Sequence, residues 1–196
     1  MSFKDGWKLS VPGHASIWAL HEKLREEVRT RWKRSLPFAD EIGDRWERAS
    51  FLGFGEESSI YDASLVLGDV EVGEHTWIGP FTVLDGRGGL RIGSYCSISA
   101  GVQIYSHDTV KWSLTGGRAA EARSPTQIGD CVYIAPMCIV ARGVTIGDHS
   151  VIGANSFVRE DVPPFSIAVG TPARIVGKVH LVGDDDVRFE YSEKPE

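Results

Sequence analysis

Aliphatic residues return at every sixth position through most of the chain. One run reads Ile60, Val66, Val72, Ile78 and Leu84. It slips by two residues at "GRGG" (86–89) and resumes at Ile92, Ile98, Ile104 and Val110. After a break the step returns at Ile128, Ile134, Val140, Ile146, Ile152 and Val158. Glycine often follows the anchor, as at Gly73, Gly93, Gly129 and Gly147, and a small or modest side chain stands four after it, as at Thr76, Cys96, Cys138 and Ser150. A period of six is neither the helical 3.6 nor a long alternation. It describes one flat side of a β-solenoid coil, with one large inward aliphatic, a tight turn and a small inward partner. Such a unit is too short to bury anything alone, so stacked coils must share one core. The fold class expected is therefore an all-β solenoid over 58–178. An N-terminal helical segment (1–57), an excursion loop (111–126) and a C-terminal arm or tail (179–196) complete it.

The period changes ahead of the solenoid. In "SIWALHEKLREEVRTRWKR" (16–34), Ile17, Leu20, Leu24, Val28 and Trp32 recur at three- and four-residue steps. That is the stripe of an amphipathic helix, with Ser16 as its candidate N-cap. A second short helix is expected around 40–49. Helices here would cover the open end of the first coil and hide its unpaired strand edges. Beyond Lys178, "VHLVGDDDVRFEYSEKPE" suggests a strand or arm and a frayed end, with Asp184, Asp185 and Asp186 simply solvated.

Composition narrows the function classes. The 196 residues carry a formal net charge of -6, which argues against a nucleic-acid binder. Three cysteines make no disulfide framework, so a reducing, cytoplasmic setting is expected, and Cys96 and Cys138 fall on the small inward position as core filler. No apolar run approaches the roughly 18 residues of a membrane helix, and "MSFKDGWKLS" does not look like a secretion signal.

Two segments, "IGDCVYIAPMCIVARGVTIGDHSVIGANSFVREDVPP" and "FSIAVGTPARIVGK", resemble the hexapeptide-repeat acyltransferases. The likeness is nearest to the maltose, galactoside and nodulation-type O-acetyltransferases and to enzymes that acylate surface-polysaccharide sugars. It implies a left-handed parallel β-helix, three hexads per coil, a homotrimer with interfacial sites, and acetyl-CoA as co-substrate with no metal. It also implies an acceptor that is a sugar hydroxyl, or alternatively the amine of a nucleotide-linked amino sugar. No G-x-G-x-x-G after a strand occurs, which favours the O-acylating branch.

The break at "IYSHDTVKW" (104–112) is where chemistry is expected. His107 lies three after Ile104, so it should leave the core beside a loop of functional length. The resemblance places the catalytic histidine here, and a neutral imidazole suits general-base work at neutral pH. Asp108, Asp85 or a backbone carbonyl could fix its tautomer. Ser106 is its neighbour, but adjacent strand residues point to opposite sides, which argues against a Ser–His dyad. Tyr105 and Trp112 offer aromatic surface to a sugar ring, and the resemblance gives Asp85, at the "GRGG" slip, to the acceptor. It places CoA near Pro136, Ala141 and Ala154, and its phosphates near Arg174, with Arg159, Arg142 and Lys178 as further cations. Two rivals remain. A γ-type carbonic anhydrase would need three zinc-binding histidines, and His75, His107 and His149 all lie three after an anchor. A non-catalytic scaffold needs only the solenoid.

Overall fold

The structure, a computed structural model, describes residues 12–192; the "MSFKDGWKLS" start and the extreme C-terminus lie outside the described residues. The described chain forms two compact units that divide between Asp44 and Arg45.

The first unit is helical, with α1 (His14–Trp32) and α2 (Phe38–Ile42). α1 begins a turn earlier than expected. Its N-cap is Gly13 at φ 84°, and Ser16 lies inside the helix without a capping role. Nδ1 of His21 stands 2.8 Å from Oε2 of the buried Glu41, and its ring meets Phe38 edge-on. Of the expected stripe only Val28 is buried; Ile17, Leu20 and Trp32 stay exposed.

The second unit opens with α3 (Arg45–Phe51), which supplies the cover expected over the first coil. Ala49 and Phe54 enter the core, and Nη2 of Arg48 donates to the carbonyl of Ser64 at 2.9 Å. Behind α3 stands a parallel β-solenoid with three walls. On one wall Ile60, Ile78, Ile98, Ile134 and Ile152 stack in register. On the second the ladder is Val66, Leu84, Ile104, Val140 and Val158. On the third it is Val72, Ile92, Ile128 and Ile146. The six-residue anchors are thus the core ladders, and nearly all are fully buried.

The small inward positions tie coils together. Thr76 Oγ1 donates to the Gly93 carbonyl (2.9 Å), Cys96 Sγ to that of Gly129 (3.1 Å) and Cys138 Sγ to that of Gly153 (3.0 Å). Burial pushes the Cys96 thiol up to about 11, so it is an inert core group. The glycines after anchors answer a steric need. A Cβ on Gly147 would stand 2.5 Å from the Pro164 nitrogen of the next coil.

Two irregularities break the walls. The first is a bulge at the slip: Gly68 pairs with Gly86, but Val70 pairs with Leu90. The second is the excursion, which differs from expectation in two ways. Val110 is no anchor; it is 58% exposed in a short helix, α4 (Val110–Leu114), and the wall resumes only at Ile128. The loop is also structured, because His107–Asp108 pairs antiparallel with Ala122–Arg123. Thr126 Oγ1 donates to the Tyr105 carbonyl at 2.7 Å and closes its base. Beyond the solenoid, Ser166–Gly170, Ala173–Val182 and Asp186–Tyr191 form an antiparallel meander at the end of the first wall.

Candidate active site

The two irregularities meet. Because Leu84 pairs with Ile104, the residues that follow each of them, Asp85 and Tyr105, leave the wall at one level. Ser106 is fully buried, and its Oγ donates to the Asp85 carbonyl at 2.5 Å while accepting from the Gly88 N–H at 2.8 Å. Its backbone carbonyl accepts from Ser124 N. One inward serine therefore pins bulge and loop to each other. His107, the next residue, must point the other way.

His107 is not an open surface residue; its side chain is only 9% exposed. Its Nδ1 faces Oδ2 of Asp85 in close contact, and neither atom has another partner among the described residues. Asp85, which the resemblance gives to the acceptor and which was also one of the groups that could orient the imidazole, has a carboxylate with no exposure that lies against the His107 ring. The other oxygen, Oδ1, accepts from Arg87 N (3.0 Å) and Arg87 Nε (3.3 Å). Nδ1 is the ring nitrogen turned to Asp85, and Nε2 is the one turned away from it.

A cleft of about 400 Å³ opens at His107, lined among others by Tyr105, Asp108, Ile139, Ala141, Arg142 and Phe157. Tyr105 is steadied by its OH donating to Gln103 Oε1 at 2.7 Å. Asp108 and Arg142 form an ion pair across the cleft floor, and Arg142 Nη1 also donates to Ser124 Oγ at 3.1 Å. The guanidinium, and secondarily the Val110 N–H, hold the Asp108 carboxyl below the usual carboxylate range. Arg142, a further candidate for a phosphate, here fastens the loop to the next coil. Ile139 and Phe157, which are not among the sequence candidates, stand one before the anchors Val140 and Val158, so the repeat itself marks them as outward on this wall.

The remaining candidates lie elsewhere. Trp112 sits on α4, half exposed and beside Gly117, and does not line the cleft. Pro136 and Ala154 are exposed at one corner of successive coils, where Asn155 N donates to the Pro136 carbonyl. Arg159 and Arg174 converge on Glu160, at 3.4 and 3.8 Å. Lys178 is exposed on its strand, opposite Ser166 and Glu190. His75 stacks on Tyr95 and His149 on Phe165 along a different corner, so within the chain the three histidines do not converge.

Comparison with known proteins agrees with this architecture. Residues 125–160 match the bacterial transferase hexapeptide family (six repeats), so the chain carries the hexapeptide transferase repeat. It is 45% identical over 56 residues to galactoside O-acetyltransferase of Escherichia coli K12, a match spanning 29% of this chain and 28% of that protein. The chain thus spans under a third of that relative's length. A hexapeptide-repeat acetyltransferase of Vibrio cholerae O1 biovar eltor, solved with acetyl coenzyme A, is similar at a TM-score of 0.59 and 25% identity, covering 86% of this chain and 90% of that one. The N-acyltransferase AntD of Bacillus cereus, solved with dTDP and coenzyme A, shares the fold at a TM-score of 0.58 and 22% identity, over 64% and 72% of the two chains.

Proposed function

We propose that the protein moves an acetyl group from acetyl-CoA to a hydroxyl of a sugar-containing acceptor, with His107 as general base. The observation that carries this reading is the pairing of His107 with a buried carboxylate at the head of a cleft. Nδ1 faces the Asp85 carboxylate, which favours the tautomer with its proton on Nδ1 and leaves Nε2 to take the proton of the acceptor hydroxyl as its oxygen attacks the thioester carbonyl. The C–O bond forms, the C–S bond breaks, and Nε2–H returns the proton to the departing thiolate sulfur. Asp85 supports the imidazolium while it exists.

The cleft suits the reacting end of the donor. Ile139, Ala141 and Phe157 give it an apolar wall, and Pro136 and Ala154 continue the same coils toward the far corner. Arg159 and Arg174 are the cations assigned to the CoA phosphates, which would compete with Glu160 for them; Lys178 is a further one. A homotrimer would complete the cleft. In support, outward residues of two walls include Trp77, Tyr133, Leu65 and Ile139 beside the polar Ser97 and Gln103, while the third wall presents Glu71, Arg91, Gln127 and Thr145. Light scattering is expected to give three chains per particle, and a monomer at micromolar concentration would remove the shared site. The unbridged cysteines, with Cys96 and Cys138 buried in the core, fit the reducing, cytoplasmic setting we propose.

The reading is tested by thiol release from acetyl-CoA with sugars, amino sugars and nucleotide-linked amino sugars, each product weighed by mass spectrometry. An ester product is expected. An amide alone would replace it with N-acylation, and absence of both turnover and acetyl-CoA binding would leave a scaffold.

A further inference from the structure

The bulge at the "GRGG" slip has no part in the chemistry above, yet it is built with care. Opposite it, only Asp69 lies between Gly68 and Val70, so 87–89 stand out of the wall. A bulge of this kind re-aims a side chain. Its glycines let it press against the loop, since a Cβ on Gly88 would come within 2.2 Å of the Ser106 carbonyl oxygen. The side chain it aims is Arg87.

Arg87 is held on one edge. Its backbone N–H and its Nε both donate to Oδ1 of Asp85, whose Oδ2 faces His107. The two oxygens of one buried carboxylate thus hold the imidazole and the guanidinium. The far edge of the guanidinium is open: Nη1 and Nη2 have no hydrogen-bond or ion-pair partner among the described residues, and the side chain is 45% exposed. Glu121 lies close enough to feel both Arg87 and His107, but its own partner is Arg123, at 2.8 Å from Nε.

We propose that Arg87 is a specificity-determining residue that binds a carboxylate or phosphate group of the acceptor, a few ångströms from the hydroxyl that His107 deprotonates. An anchored guanidinium with two free N–H donors on one side matches the planar fork of an anionic oxygen pair. A neutral sugar needs no such group. In a chain of net charge -6, an anionic substrate does need a local cation. The inference rests on the acyl-transfer reading for the reacting hydroxyl, but anion binding can be measured without turnover.

The test is calorimetric titration of methyl glucoside, methyl glucuronide and glucose 1-phosphate into the full chain, with wild type, Arg87→Gln and Arg87→Lys. Wild type is expected to bind at least one anionic sugar about ten-fold or more tightly than the neutral one, as loss of a charge-assisted contact predicts. The tighter of the two names carboxylate or phosphate as the source. Arg87→Gln is expected to abolish that preference and leave acetyl-CoA binding unchanged, and Arg87→Lys to keep part of it. Equal wild-type binding of all three sugars would overturn the proposal. So would an Arg87→Gln variant that keeps the preference and loses only kcat, since that would make Arg87 a support for Asp85. Anion preference without any acetyl transfer would uphold Arg87 and sink the transferase reading.

Discussion

An Asp85→Asn variant is expected to fold, bind acetyl-CoA and lose about 10²–10⁴-fold in kcat, the span that general-base catalysis is worth. The substitution keeps the size of a side chain that has no solvent exposure. It keeps the oxygen that accepts from the Arg87 N–H. It changes what faces His107. An amide NH₂ in place of Oδ2 donates to Nδ1 and drives the ring proton to Nε2, so the nitrogen that must accept the hydroxyl proton is already occupied. The negative charge that would support the imidazolium is lost as well. Steady-state kinetics at saturating acceptor check this. A kcat above about a tenth of wild type, less loss than the low end of that range, would mean that Asp85 does not set the tautomer.

His107→Ala is expected to lower kcat by the same order, about 10²–10⁴-fold, because it removes the base outright. It should cost some stability, because Oδ2 of the fully buried Asp85 loses the one group that faces it among the described residues, but not the fold. His107 is outside the hydrophobic core, and the ladders on either side of it rest on Ile104 and Ile128. The pairing of 107–108 with 122–123 is made by the backbone and survives truncation. Acetyl-CoA affinity is expected to stay within a few-fold of wild type, since the apolar wall of Ile139, Ala141 and Phe157 is untouched.

The solenoid was legible because its signal is repeated. Fourteen of the fifteen in-phase aliphatics stand on the wall ladders, each constrained by at least one neighbouring coil. Val110 failed because a single residue in phase carries no such constraint, and a loop helix can place a valine there by chance. The place of His107 beside the excursion was legible from the break itself. Which of Asp85, Asp108 or a backbone carbonyl faces it was not, since Asp85 is far away in sequence and becomes a neighbour only through the Leu84–Ile104 pairing. Once the coil register is known, Asp85 and Tyr105 share a level, so the information was present but needed the third dimension. Charges were the least legible. Arg142 looks from sequence like a free cation, and only the folded loop brings Asp108 to it. α1 shows the same limit, because a helical stripe predicts a helix but not what covers Ile17, Leu20 and Trp32.

The central claim is that His107 takes the acceptor proton during acyl transfer. It is tested most directly by a single-turnover experiment with labelled acetyl-CoA bound to excess enzyme, wild type against His107→Ala, with an acceptor that the wild type acylates. Both proteins are expected to hold the label equally well, wild type to pass it to the acceptor hydroxyl, and the variant to do so at least about a hundred-fold more slowly. Transfer by the variant at more than about a tenth of the wild-type rate would contradict the claim, because general-base catalysis is typically worth about 10²–10⁴-fold.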